Sequence, residues 1–302
     1  MEPDNHTKLK PVIRICDFFS GTHSWTHPWI EWGEAHGYEV RVFSIDNNQA
    51  YSQDTTVIMD FMELNAEMIR EHLGGNPDLI LASPPCTAFS VASIGTHWTG
   101  GRRAYIPATE FAKLSLKLIE KLFQLIDELE PRFYWIENPR GVLRKLKVME
   151  RENLSRTTVW YCKYGSTLGV KRAKPTDLWG VWPDTWTPRA PCKNGNPDCD
   201  HVRAPRGAKT GTQGLSGNKA RSMIPTELTG EIQEAVALAM FPELQLASCV
   251  DSFPAPAGAI CDQPGCDFKA VQESTWKYWT EDGWILAGRY SCIYCKNLEG
   301  SN

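Results

Sequence analysis

The sequence predicts an α/β protein of the doubly wound kind. Short apolar runs alternate with stretches of helical periodicity from Val12 to Pro139, the pattern of strand–helix–strand units. Each apolar run stops at a polar or Gly/Pro turn, as strands of such a sheet do at their carboxyl ends. At 302 residues, the chain holds one large domain with a small one, or two modest ones.

Taken in order, Val12–Phe19 reads as a buried strand ending at Ser20-Gly21-Thr22, and Trp29–His36 as a helix closed by Gly37. Val40–Ile45 is a second strand that runs into Asp46-Asn47-Asn48, and Val57–Met59 is a short extended piece. Leu64–Leu73 is a helix stopped by Gly74-Gly75-Asn76-Pro77. Leu79–Ala82 is a strand opening onto Ser83-Pro84-Pro85-Cys86. A long amphipathic helix covers about Ala108 to Leu129, with Leu114, Leu118, Leu122 and Leu125 at three- and four-residue spacing on its apolar face. Phe133–Ile136 is a further buried strand that ends at Glu137-Asn138-Pro139. Asp46, Cys86 and Glu137 thus fall just beyond strand ends. Ligands of open α/β sheets sit there, so the three are expected to share one crevice.

Composition narrows the function. Hydrophobic residues make up 42% and charged residues 23%, ordinary values for a soluble globular protein. No apolar run reaches the roughly 18 residues that a membrane span needs. The polar stretch Met1–Lys10 lacks the apolar core of a signal peptide, so secretion is not expected. The 10 cysteines are then expected in a reducing compartment, as metal ligands or catalytic groups rather than disulfides. The net charge of −4 hides an asymmetry: Lys163–Arg221 holds eleven Lys/Arg against four Asp, a net +7, which leaves −11 for the rest. A basic segment on an acidic body suits a polyanion partner; the alternative is a solvated loop enriched in Lys/Arg by chance.

After Trp182 the texture changes. Pro183–Asn218 is rich in Pro, Gly, Lys and Arg with little periodicity, as in a functional loop or a separately stabilised module. Pro225–Met240 resumes as a helix, Ser252–Gly258 is a Pro-rich linker, and a small cysteine-bearing module starts at Ile260. The expected division is 1–182, 183–222, 223–248 and 249–302.

Two cysteine groups have metal-ligand character. Cys261-x4-Cys266 and Cys292-x2-Cys295 flank 25 residues, the spacing of a zinc ribbon with four thiolates in a closed, structural shell. The insert, with Trp276, Tyr278, Trp279, Trp284 and Ile285, reads as strands around a Gly283 turn, and zinc would supply much of so small a module's stability. Cys192, Cys199 and His201 form a second cluster in a loop without a core of its own, and Cys162 or a more distant residue is the candidate fourth ligand. Cys16 and Cys249 read as packing residues.

The strongest local signal is Ser83-Pro84-Pro85-Cys86-Thr87. Two prolines restrict the backbone, so that Cys86 is presented rigidly after a strand, and a presented thiolate is a nucleophile. Glu137, held at a neighbouring strand end, could protonate a ring nitrogen and activate that ring towards attack. Phe18-Phe19-Ser20-Gly21-Thr22, Ser83-Pro84-Pro85-Cys86, Glu137-Asn138-Pro139 and Lys174-Pro175-Thr176-Asp177-Leu178-Trp179 follow in the order of the DNA cytosine-5 methyltransferases. The chain resembles that family over roughly Ile13 to Phe241, most closely its compact branch from phages and prophages.

The resemblance implies a Rossmann-like domain that uses S-adenosylmethionine and acts on DNA. It implies that Cys86 attacks C6 of a flipped cytosine, that Glu137 protonates N3, and that Arg172 or Lys174 supplies the family's basic contact to the base. It places Phe19 and Gly21 by the cofactor's methionine end, Asp46 at the ribose, and Asp60 with Phe61 at the adenine, with His23 and Ser83 also expected at the cofactor; turn capping is the alternative for the two aspartates. It makes residues 183–222 the target-recognition region, with Arg189, Lys193, Arg203, Arg206 and Lys209 on DNA, in a cytoplasmic monomer of a bacterial or phage-infected cell.

The chain departs from the pattern at Gly21-Thr22-His23, where a side chain replaces the usual second glycine, and at Thr87, where the family usually has Gln. Two other functions therefore stay open: a related pyrimidine-C5 enzyme with a different or modified donor, and an inactive zinc-bearing DNA-binding protein.

Overall fold

The structure, a computed structural model, describes residues 10–166, 170–193, 195–202, 222–242, 273–280 and 283–290. Two compact units are present, 1–236 and 237–302. In chain order the first contains β1 (Val12–Phe18), α1 (His27–His36), β2 (Glu39–Asp46), β3 (Val57–Ile58), α2 (Ala66–Leu73) and β4 (Leu79–Ala82). Next come α3 (Ile94–His97), β5 (Trp98–Thr99), α4 (Gly101–Ala104), β6 (Ile106–Pro107), α5 (Glu110–Leu129) and β7 (Phe133–Pro139). β8 (Ser155–Trp160), β9 (Pro175–Val181) and α6 (Thr226–Met240) follow.

The central sheet has the order β3-β2-β1-β4-β7-β9-β8. Pairing is parallel from β3 through β7, and β9 runs antiparallel to both of its neighbours. Parallel strands covered on both faces are apolar throughout, and Ile13, Ile15, Cys16, Phe18 and all of β4 are buried accordingly. The strand order reverses between β1 and β4, the switch point at which an open α/β sheet leaves a crevice. Asn65 caps α2 through the Met68 N–H, and Gly37 and Gly74 end α1 and α2 in the left-handed conformation.

The structure departs from three sequence expectations. β7 does not stop at Ile136; it continues through Glu137, Asn138 and Pro139 because these pair with Leu178, Asp177 and Thr176 of β9. β4 ends opposite Ile136, so Glu137 stands one residue past its neighbour's end while still inside a strand. Leu114 lies outside the apolar face of α5, 45% exposed, because the buried stripe is Ala112, Ser115, Ile119, Leu122, Ile126 and Leu129. Successive four-residue steps drift off a 3.6-residue repeat, which carries Leu114 to the solvent side. The sequence reading also left β8 and β9 unassigned.

β9 carries a fully buried carboxylate, Asp177. Arg144 meets it with Nε at 2.7 Å and again with Nη2, and Thr158 Oγ1 donates to it at 2.7 Å. This network ties β8, β9 and the segment after β7 together.

The second unit contains an antiparallel hairpin of β10 (Glu273–Thr280) and β11 (Gly283–Tyr290), in register from Glu273 opposite Tyr290 to Thr280 opposite Gly283. In sequence it lies between the two expected zinc-ribbon pairs. Cys261, Cys266, Cys292, Cys295 and Cys249 lie outside the described residues, as do Arg203, Arg206 and Lys209. Among the described residues no helix is long and apolar enough to cross a membrane.

Candidate active site

The loop after β4 is held from both sides. The Ser83 N–H donates to the Phe18 carbonyl at 3.0 Å, and Asn138 Nδ2 donates to the Pro84 carbonyl at 2.9 Å. Pro84 is buried and Cys86 exposed, so the chain turns outward at the thiol. The Cys86 carbonyl then accepts from the N–H groups of Phe89 and Ser90, closing a tight turn. Val142 N–H donates to the Phe89 carbonyl, and a Cβ at Gly141 would lie 2.1 Å from that oxygen, so only glycine permits this approach.

Glu137 is buried beside this loop. The Tyr161 hydroxyl donates to Glu137 Oε1 at 2.8 Å, and Lys174 Nζ lies 3.6 Å from the same oxygen and 4.6 Å from the centre of the Tyr161 ring. Burial pushes the Tyr161 phenol well up, with further contributions from Glu137 and from the negative charge of a Cys86 thiolate. The tie between the thiol loop and the carboxyl strand is the hydrogen bond from Asn138 to Pro84. Of the two basic candidates, Lys174 reaches Glu137. Arg172 instead forms a backbone bridge to Val202, and its Nε is buried without a partner among the described residues. Tyr161 had no sequence signal beyond its place in an aromatic run.

A second group of residues lies at the ends of β1, β2 and β3. Phe19 and His23 both have positive φ, 58° and 53°, which is strained for residues with side chains. Gly21, at φ +50°, donates its N–H to Asp46 Oδ2 at 3.0 Å, and Asn48 N–H donates to Asp46 Oδ1 at 2.8 Å. The Phe61 ring lies against Phe19 at 4.4 Å and against Phe18 at 5.3 Å. Asp60 caps the 3₁₀ turn Phe61–Glu63 by accepting from Met62 N–H at 2.9 Å, the capping alternative noted from sequence. Trp25 Nε1 donates to Ser83 Oγ at 3.0 Å and fastens this loop to the thiol loop. Ser20 Oγ and Asp17 Oδ1 are buried here without partners among the described residues. Sequence reasoning missed Ser20, which stands inside the motif that marks the site.

His23 turns towards Thr55, with Nε2 at 3.3 Å from Thr55 Oγ1, and towards Asp17, with Nδ1 at 3.9 Å from Asp17 Oδ2. This is not an ion pair at neutral pH. Burial lifts the Asp17 carboxyl to about 8, and burial lowers the imidazole, so both groups favour their neutral forms. The native state therefore holds a proton that the unfolded chain loses near pH 4, and stability falls as the pH rises from about 4 to about 8. Asp17→Asn is expected to remove this slope. Urea unfolding across that range should show the variant gaining on the parent as the pH rises, and parallel curves would refute the assignment.

A third group is removed from the thiol. The donor atoms of Cys162, Cys192, Cys199 and His201 all lie within 4.8 Å of one another. Burial and hydrogen bonds to Cys192 and Cys199 hold the Cys162 thiol well above its ordinary value. Burial would raise Cys192 too, but hydrogen bonds from Asn196, Cys162 and Cys199 outweigh it and lower that thiol. Three of these residues were singled out from sequence, and Cys162 was one candidate for the fourth.

Of the residues expected on DNA, Lys193 is exposed. Arg189 turns back onto α6, with Nε 2.7 Å from Glu231 Oε1 and Nη1 2.7 Å from Glu227 Oε2, while its guanidinium lies over the Tyr164 ring. Two carboxylates and a ring thus engage that side chain within the chain itself.

Residues 13–157 match the family model "C-5 cytosine-specific DNA methylase". A Frog virus 3 (isolate Goorha) protein described as a DNA (cytosine-5)-methyltransferase is 26% identical over 222 residues, 69% of this chain and 92% of the viral one. An E. coli prophage protein described as a DNA modification methyltransferase matches at a TM-score of 0.39 and 18% identity, over 56% of this chain and 46% of its own. An Entamoeba histolytica methyltransferase matches at a TM-score of 0.39 and 11% identity, over 62% of this chain and 57% of its own. The chain thus spans about half the length of these two solved structures.

Proposed function

Because residues 13–157 match the C-5 cytosine-specific DNA methylases, we propose that the chain moves a methyl group from S-adenosylmethionine to C5 of a cytosine in DNA, through a covalent bond between Cys86 and the base. One observation carries the chemistry. The exposed Cys86 loop is tied to the Glu137 strand through Asn138 and Pro84, and Glu137 and Cys86 both act on Tyr161.

An unactivated cytosine C5 is a poor nucleophile, and covalent addition changes that. The target base leaves the stack, and the Cys86 thiolate adds to its C6. Glu137 gives a proton to N3 and relieves the negative charge that the addition places in the ring. Tyr161 and Lys174 both address Oε1, which assigns Oε2 to the base. C5 takes up the methyl group and leaves the donor as a thioether, the C5 proton passes to solvent, departure of the Cys86 thiolate restores the double bond, and N3 returns its proton to Glu137. S-adenosylmethionine supplies an electrophilic methyl on a sulfonium.

The ends of β1–β3 fit this donor. Ser20 Oγ and Asp17 Oδ1 are buried polar atoms awaiting partners, and the half-buried Asp46 presents carboxylate oxygens to hydroxyls. Phe19, Gly21, His23 and Ser83 would line the methionine end, Asp46 the ribose, and Asp60 with Phe61 the adenine. Lys193, with Arg203, Arg206 and Lys209, would meet phosphates. Zinc belongs to the same reading, with Cys261, Cys266, Cys292 and Cys295 holding one ion and the Cys192, Cys199 and His201 group another. The segments 1–182, 183–222, 223–248 and 249–302 then act as catalytic domain, recognition region, completing helix and zinc ribbon of a cytoplasmic monomer.

Mass spectrometry of nucleosides from a cell expressing the protein tests this. A deoxycytidine heavier by one methyl group is expected. Unmodified deoxycytidine, or an adduct of any other mass, overturns the proposal.

A further inference from the structure

We infer that Cys162, Cys192, Cys199 and His201 form a closed, tetrahedral zinc site that holds Tyr161 and Lys174 in place against Glu137. The metal site stands on its own geometry; the positioning role rests on the reading of Glu137 as the acid that serves the base.

Three thiols and an imidazole are a complete donor set for a structural zinc ion. Metal–sulfur bonds of roughly 2.3 Å give a tetrahedron with edges of roughly 3.8 Å. Cys192 Sγ and His201 Nδ1 are 3.8 Å apart, and all four donor atoms lie within 4.8 Å of each other. Three of the four residues are buried and Cys199 is half-buried, so the shell leaves no open position for a substrate. Asn196 Nδ2 donates to Cys192 Sγ at 3.7 Å, the outer-shell support that a thiolate ligand uses. A disulfide would employ two of the three sulfurs and leave His201 without a reason to be there.

The packing explains why a metal is needed. Beyond Trp186, which is buried against Trp135 and Trp182, the described residues from Ala190 to His201 contain neither helix nor strand, yet Cys192 and His201 are buried. Among the described residues the apolar cluster beneath them is Cys162, Ala173 and Cys192, with Trp160 and Cys199 at its edge. That is too little apolar surface to order such a loop, and a metal staple supplies the difference.

Both ends of the staple lead to the acid. Cys162 directly follows Tyr161, whose N–H donates to the Lys174 carbonyl at 3.1 Å. His201 directly precedes Val202, which bridges Arg172, and the Arg172 carbonyl accepts from the Lys174 N–H at 2.8 Å. The metal therefore joins the two short segments that carry both partners of Glu137 Oε1. The basic segment with Arg203, Arg206 and Lys209 begins, in sequence, where the staple ends.

The test uses the full chain purified without chelators. Cys162→Ala and Cys199→Ala are each expected to lose one zinc equivalent relative to the parent by elemental analysis. Their covalent trapping of a 5-fluorocytosine oligonucleotide should slow by about 10- to 100-fold, the usual effect of disturbing support around such a site, while S-adenosylmethionine affinity stays unchanged. His201→Cys keeps four donors and should retain both zinc and trapping. Unchanged zinc in both alanine variants overturns the site; zinc loss with undiminished trapping overturns the positioning role. A parent chain that binds the zinc but traps no cytosine overturns the methylase reading and leaves the metal site standing. Should the alanine variants not fold, cobalt substitution decides. Thiolate charge-transfer absorption should rise in His201→Cys and fall in Cys199→His, and identical spectra overturn the site.

Discussion

Cys86→Ser is expected to lower methyl transfer by roughly ten-thousand-fold or more, the scale seen when a covalent nucleophile is removed. A serine hydroxyl is scarcely ionised at neutral pH, whereas a thiol is partly ionised and intrinsically far more nucleophilic. The change should leave the fold alone. Cys86 is exposed, and its carbonyl rather than its side chain closes the turn with Phe89 and Ser90. A stability change within about 0.5 kcal/mol is therefore expected. Trapping separates chemistry from binding. The parent should form a lasting adduct with a 5-fluorocytosine oligonucleotide, because the step that normally removes the C5 proton cannot remove fluorine. The serine variant should form none, yet still shift the same DNA in a gel. A serine variant that methylates at the parental rate would end the covalent proposal.

Arg144→Met is expected to destabilise the protein by about 3–5 kcal/mol, the consequence of leaving a buried carboxylate without its partner. Asp177 is fully buried, and Arg144 meets both of its oxygens. Arg156, 3.9 Å away and half-exposed, is too distant and too hydrated to replace it. Thr158 would remain as a single neutral donor. The cost should come from the stranded charge, so the double variant Arg144→Met, Asp177→Leu is expected to recover most of it. Urea unfolding of the two variants measures the difference. Equal stability of single and double variants would show that the ion pair contributes shape rather than charge.

This pair also explains where the sequence misled. β1 and β4 are largely apolar and mostly buried, β2 is buried only towards its end, and the turns that follow mark all three; the observed limits fall within a residue or so of those read from sequence. β9 is mostly buried, but it opens on Pro175, carries Asp177 in its middle and has Gly180 near its end, so its apolar run is too short to stand out until Arg144 is seen to face Asp177. β8, at the sheet edge, runs from exposed to half-buried and shows no clean alternation. Neither strand announces itself locally. The thiol and the acid were legible because each follows or lies within an apolar strand in a recognisable short motif. Tyr161 was not, because an aromatic residue beside Trp160 looks like packing until β8 and β9 bring it to Glu137. The ion pairs of Arg189 were hidden for a similar reason: Glu227 and Glu231 lie far along the chain and meet it only because α6 packs against its loop.

The sequence by itself determined the α/β character and the order of the parallel strands' turns, and it singled out Cys86, Glu137, Cys192, Cys199 and His201 as candidates for chemistry. These depend on periodicity, turn chemistry and short spacing, all of which act along the chain. Only the tertiary structure decided that Asn138 anchors the Pro84 loop, that Lys174 rather than Arg172 reaches Glu137, and that Cys162 lies with Cys192, Cys199 and His201. Each of these joins different elements, and the contact exists because sheet register and loop packing bring distant residues within hydrogen-bond or coordination range.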